Sequence, residues 1–109
     1  MYVLSREAGI DLAEIEDYTA RKWSDDQAEK YLRELFRALE ALARDPGLGR
    51  RRADVPPPYL VYSVGSHLIV YRYLQPANRV EVLNILHPAM DIATRLKKAL
   101  ARAAQQRIG

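Results

Sequence analysis

With 109 residues, 17 Lys and Arg against 14 Asp and Glu, and a formal net charge of +3, the chain is long enough for one domain, 1–109, with a core of its own. The absence of cysteine excludes disulfides, thiolate zinc sites and thiol catalysis, and two histidines twenty residues apart, His67 and His87, point away from a metal centre. No apolar run approaches the ~18 residues of a membrane span, so the expectation is a cytoplasmic protein with no membrane partner.

In chain order, "YVLS" is β-prone, and Ser5 is placed to cap a first helix. Ala8, Leu12, Ile15, Thr19 and Trp23 then recur at helical spacing. Acids Glu7 and Asp11 near the start and bases Arg21 and Lys22 at the end suit the helix dipole. "SDDQ" reads as a capping box on Ser24, opening a second helix with the stripe Ala28, Leu32, Leu35, Leu39 and Leu42. Tyr31, Phe36 and Ala38 widen that stripe beyond what one sheet face needs, so part of this helix is expected to meet a partner. Asp45-Pro46-Gly47 stops it. The short link from Lys22 to Asp25 makes the two helices an antiparallel hairpin.

The prolines of "VPPP" give an extended lead-in rather than a central strand. "YLVYSV", Gly65-Ser66 and "HLIVYRYL" read as a hairpin with glycine first in a type II′ turn. "QPAN" turns the chain again into "RVEVLNIL", completing a three-strand meander. Pro88 suits the first turn of a last helix, about 88–106, with Met90, Ala93, Leu96, Leu100 and Ala103 at helical spacing. The expected fold is α+β: an N-terminal strand, an antiparallel helical hairpin packed on a small antiparallel sheet, and a C-terminal helix.

Charge is unevenly spread. Residues 1–30 hold eight acids and four bases, whereas 31–109 hold six acids and thirteen bases. Such a basic C-terminal two-thirds suits an acidic partner, protein or nucleic acid, or else an ordinary solvated face.

For chemistry the candidates are sparse. His87 has no nucleophile elbow or carboxylate pair near it in sequence, although Asp91 lies one helical turn on and can orient its ring. As a structural residue it begins the last helix. Metal-free RNA cleavage needs a proton carrier and cations on the phosphorane, which His87 with Arg50, Arg51, Arg52 and Arg72 can supply. Tyr59, Tyr62, Tyr71 and Tyr73 can stack bases, but at strand spacing they more often form core and cross-strand pairs. "GLGRRR" precedes a strand, where a phosphate loop would come after one.

The stretches "LSREAGIDLAEIEDYTARKWSDDQAEKYLREL", "DPGLGRR", "VGSHLIVYRY" and "VEVLNILHPAMD" resemble, in the same order, ParE-type toxins of the RelE/ParE superfamily, over roughly residues 2 to 92. The resemblance implies a toxin of a toxin–antitoxin system that binds DNA gyrase, uses no cofactor and performs no chemistry. It further implies a ParD-like antitoxin that lays an amphipathic helix beside the helical hairpin in a hetero-oligomer. Trp23, Tyr31, Leu35, Ala38 and Leu42 are the expected antitoxin contacts, and Arg72, His87, Met90, Asp91 and Arg95 the expected target contacts. No direct sequence-specific binding of nucleic acid is expected. RelE-like relatives cleave mRNA on the ribosome instead, which keeps the Arg50–Arg52, Arg72 and His87 set as an alternative. Two departures stand out: Leu60 and Val61 replace arginines common in relatives, and a basic tail extends beyond Asp91. The first admits a third reading, a toxin that has lost its poison and persists as an antitoxin-binding module.

Overall fold

The computed structural model describes residues 1–75, 78–87 and 92–108, without the side chains of 103 and 105–108. Its elements are β1 (Tyr2–Leu4), α1 (Arg6–Lys22), α2 (Asp25–Arg44), a 3-10 turn (Pro46–Leu48), β2 (Leu60–Val64), β3 (His67–Leu74), β4 (Arg79–Leu86) and α3 (Ile92–Ile108). Both expected caps form: Ser5 Oγ accepts the Ala8 N–H at 3.0 Å and Ser24 Oγ that of Gln27 at 3.1 Å. No helix among the described residues is long and apolar enough to cross a membrane.

The meander is present, and β1 joins it to make a four-stranded mixed sheet in the order β1-β4-β3-β2. β1 runs parallel to β4, pairing Tyr2 with Val80 and Leu4 with Val82. Within the hairpin Val64 pairs with His67, so Gly65 and Ser66 alone make the turn. Gly65 has φ +55°, as a turn with glycine in first position requires. At the second turn Asn78 takes φ 52°, a left-handed conformation that asparagine tolerates; Pro76 and Ala77 of that turn lie outside the described residues.

Apolar side chains cover both faces of the sheet. On one, Ile69, Tyr71, Val80, Val82 and Ile85 pack against Ala8, Leu12 and Ile15 of α1 and Leu35, Leu39 and Leu42 of α2. On the other, Leu68, Val70, Leu83 and Leu86 pack against Ile92, Leu96 and Ala99 of α3 and against Val55 and Tyr59 of the lead-in. This second layer explains why β3 and β4 read as nearly continuous apolar runs rather than alternating ones. A bulge assists: Val70 pairs with Asn84 but Tyr71 with Val82, which leaves Leu83 as the extra residue.

The buried face of α3 differs from the expected stripe. Ile92, Leu96 and Ala99 are buried and Leu100 half-buried, whereas Ala93 is exposed. Turning the helix to this face buries Ile92, a larger apolar surface than the Ala93 methyl. Pro88 and Met90, and the side chain of Ala103, lie outside the described residues. Leu60 and Val61, the two departures from relatives, are packing residues: Leu60 leans on the hairpin side and Val61 on the α3 side.

Candidate functional site

Register brings the two histidines together. Because Leu68 pairs with Leu86, His67 at the start of β3 and His87 just past β4 become cross-strand neighbours. Their rings meet edge to face with centroids 5.5 Å apart. Tyr31 of α2 completes the cluster, its ring tilted 51° on His67 at 5.5 Å and its hydroxyl 2.6 Å from His67 Nδ1. That hydroxyl also accepts the Ser66 N–H at 3.2 Å and donates to the Val64 carbonyl at 3.2 Å, so one phenol pins the β2–β3 turn to the hairpin. Gly65 is required here twice over, since a Cβ would also meet the Tyr31 ring at 2.7 Å.

These groups floor an open cleft of about 1040 Å³ whose walls are the second half of α1, the α1–α2 turn and the end of β4. Trp23 and Tyr18 stand on its rim, 70% and 56% exposed, unusually open for large aromatic side chains. Lys22 Nζ hydrogen-bonds the Tyr18 hydroxyl at 3.0 Å and lies 5.5 Å from the ring centre, which holds that ring in place. Asp11, Glu14, Asp17, Arg21 and Lys22 set the charge around the cleft. Burial, and then the neighbouring His87, push the His67 pKa below its ordinary 6.5, so the ring is neutral at physiological pH. Among the described residues no three His, Cys, Asp or Glu side chains converge as metal ligands.

The arrangement offers aromatic surface, a neutral imidazole donor–acceptor and mixed charges. It suits docking of a side chain or helix better than bond cleavage, because the cations of the nuclease set are elsewhere. Arg72 lies on the α3 face of the sheet, its guanidinium 5.8 Å over the Tyr59 ring and bound to Glu81 at 2.7 and 2.9 Å. From Glu81, its strand partner, to His87 the chain advances six residues, roughly 20 Å along β4. Arg50 bridges Val61 on the outer edge of β2, three strand spacings, or about 14 Å, from β4. Arg52 is paired with Asp54 at 2.6 Å, and Arg51 is exposed beside it. Arg50, Arg51, Arg52, Arg72 and His87 therefore do not form one site.

Of the expected partner contacts, Leu35 and Leu42 are fully buried against the sheet and present no surface. Tyr31 and Ala38 are half-buried at the core margin, and Trp23 is exposed. Of the expected target contacts, Arg95 is exposed on α3 and His87 sits at the strand-to-helix junction, while Met90 and Asp91 lie outside the described residues. The His67–Tyr31 contact escaped notice in the sequence, and His67 comes opposite His87 only through the β3–β4 register, bulge included.

The family model for the ParE toxin of the type II toxin–antitoxin system, parDE, matches residues 2–92. The chain belongs to the ParE toxin family. Toxin ParE1 of Mycobacterium tuberculosis is 41% identical over 91 residues, covering 84% of this chain and 92% of that protein. Toxin ParE1 of Caulobacter vibrioides is 36% identical over 95 residues, covering 87% and 96%. A solved structure of the chromosomal ParDE TA system from P. aeruginosa superposes with a TM-score of 0.68 at 18% identity, over 79% of this chain and 92% of that one, a likeness of fold.

Proposed function

We propose that this ParE toxin acts in the cytoplasm by binding DNA gyrase and blocking its cycle, with no chemistry of its own, and that a ParD-like antitoxin neutralises it in a hetero-oligomer. Family membership carries this reading. The wide separation of Arg72, Arg50 and His87 supports it over mRNA cleavage, which needs acid, base and cation within reach of one phosphate.

The antitoxin face is the hairpin side of the cleft. Trp23, Tyr31 and Ala38 make contact there, and Leu35 and Leu42 shape the surface from beneath. An amphipathic helix seated on that face would cover the exposed Trp23 and Tyr18 rings. For the target, His87 and Arg95 flank the segment that contains Met90 and Asp91, whereas Arg72 acts through its ion pair on the sheet. Gyrase supercoiling measured with a molar excess of the purified chain tests the proposal. Loss of supercoiling, reversed by the ParD-like antitoxin, is expected; supercoiling that proceeds unchanged contradicts it.

A further inference from the structure

The family match ends at residue 92, where α3 begins, so α3 needs an account of its own. Over 92–108 the sequence holds five bases and no acid. Folding sets this helix on the sheet face opposite the helical hairpin, and the lead-in after Arg50–Arg52 packs into the same layer through Val55 and Tyr59. The two outer layers are thereby oppositely charged. Residues 6–44 carry ten acids and seven bases, whereas 50–59 and 92–108 together carry one acid and eight bases.

Among the described residues Arg50, Arg51, Arg95, Lys97 and Lys98 are exposed and have no carboxylate within ion-pair distance. Arg102, also exposed, reaches Glu7 at 2.9 Å. Among the described side chains the exposed positions between the α3 cations are Ala93, Thr94, Ala101 and Ala104, and the exposed large apolar residues lie outside α3 and outside 50–59. A protein interface is built around aromatic or aliphatic anchors, which are missing among the described side chains of this face. A phosphate-backbone interface is polar and strongly positive, and small residues between the cations allow close approach.

We propose that the face formed by α3 and the Arg50–Arg52 loop binds the phosphate backbone of duplex DNA without sequence preference. This contact is separate from the cleft and stands whether or not the target is gyrase.

Fluorescence anisotropy of a labelled 20-bp duplex of arbitrary sequence, titrated with the full chain at several salt concentrations, tests it. Five backbone contacts predict affinity falling roughly 500-fold between 50 and 200 mM salt. In the triple variant Arg95→Gln, Lys97→Gln, Lys98→Gln the same change should cost only about tenfold. The hairpin-face variant Lys30→Gln, Arg37→Gln should bind like the parent. No binding at 50 mM salt overturns the proposal, as does equal weakening by the hairpin-face variant. Competition by poly-glutamate as effective as by unlabelled duplex also overturns it, because the face would then serve an acidic protein.

Discussion

The carboxylate of Asp11, on the second turn of α1, accepts the backbone N–H of Ile85 at 2.8 Å and the side-chain amide of Asn84 at 3.0 Å. β1 ends at Leu4, opposite Val82, so the edge of β4 beyond it would otherwise lack a partner. Ser5 covers the next position, donating its N–H to the Val82 carbonyl at 2.9 Å and its hydroxyl to the Leu83 carbonyl at 2.6 Å. One helix thus finishes the strand edge that the short β1 leaves open, and fixes where His87 emerges.

Asp11→Ala should destabilise the fold by about 1–3 kcal/mol, the cost of leaving a buried N–H unpaired. Asp11→Asn keeps an acceptor and should stay within about 1 kcal/mol of the parent at pH 7. Burial raises the Asp11 pKa above 3.8 despite the hydrogen bonds from Ile85 and Asn84. The folded state therefore holds this proton more tightly than the unfolded chain does. Its contribution to stability is largest below pH 3.8 and is lost as pH rises through the raised value. Urea unfolding at pH 7 with equal midpoints for the two variants would contradict the edge-capping role.

Tyr71 holds the approach to the arginine loop. Its buried hydroxyl donates to the Pro46 carbonyl at 2.6 Å and accepts the Gly49 N–H at 2.8 Å. Tyr71→Phe should cost about 1–3 kcal/mol by leaving both groups unpaired. Gly49→Ala should also destabilise, because its Cβ would overlap the Tyr71 hydroxyl. Thermal unfolding unchanged in both variants would show that the turn is held by other means.

His67 titrates with the opposite sign to Asp11. Its folded pKa lies below 6.5, through burial first and the His87 neighbour second, so the unfolded chain takes the proton first as pH falls. Stability from this group is intact above pH 6.5 and is lost as pH falls toward the depressed value. Asp11, Glu14, Asp17, Arg21, Lys22 and His87 share the cleft and are common to parent and variant. The difference between the urea midpoints of the parent and His67→Gln should therefore change between pH 7.5 and 5.5. Parallel curves would contradict the assignment.

Leu35, fully buried, and Trp23, 70% exposed, separate core stability from the proposed antitoxin contact. Leu35→Ala removes a fully buried side chain and should cost about 2–5 kcal/mol of stability. Trp23→Ala should leave the unfolding midpoint unchanged and weaken the antitoxin complex by about 2 kcal/mol, as loss of an interface anchor does. Calorimetry with a ParD-like antitoxin reads the second effect. Unchanged affinity would remove Trp23 from the contact.

Much of the fold was legible because local signals and periodicity agreed. Ser5 and Ser24 announced the helix starts, and Gly65-Ser66 fixed the hairpin and through it the register of β3. The parallel pairing of β1 was not legible, since a three-residue strand carries no signal of which neighbour it joins. Nor was the second apolar layer: the Leu68–Tyr71 run was readable as buried on both faces, but nothing local said that α3 covers one of them. That Leu35 and Leu42 turn wholly to the sheet was not legible either, because a helical stripe shows periodicity, not which part of it the sheet consumes. The Tyr31–His67–His87 cluster depends on three elements meeting, and its histidines become neighbours only once the β3–β4 register is set.

Pulse-labelling of DNA and protein synthesis within minutes of inducing this chain alone tests the central claim most directly. A toxin that acts on gyrase halts DNA synthesis first while transcripts stay intact. Protein synthesis failing first, with cleaved transcripts, would contradict gyrase as the target and return Arg72 and His87 to consideration as catalytic groups.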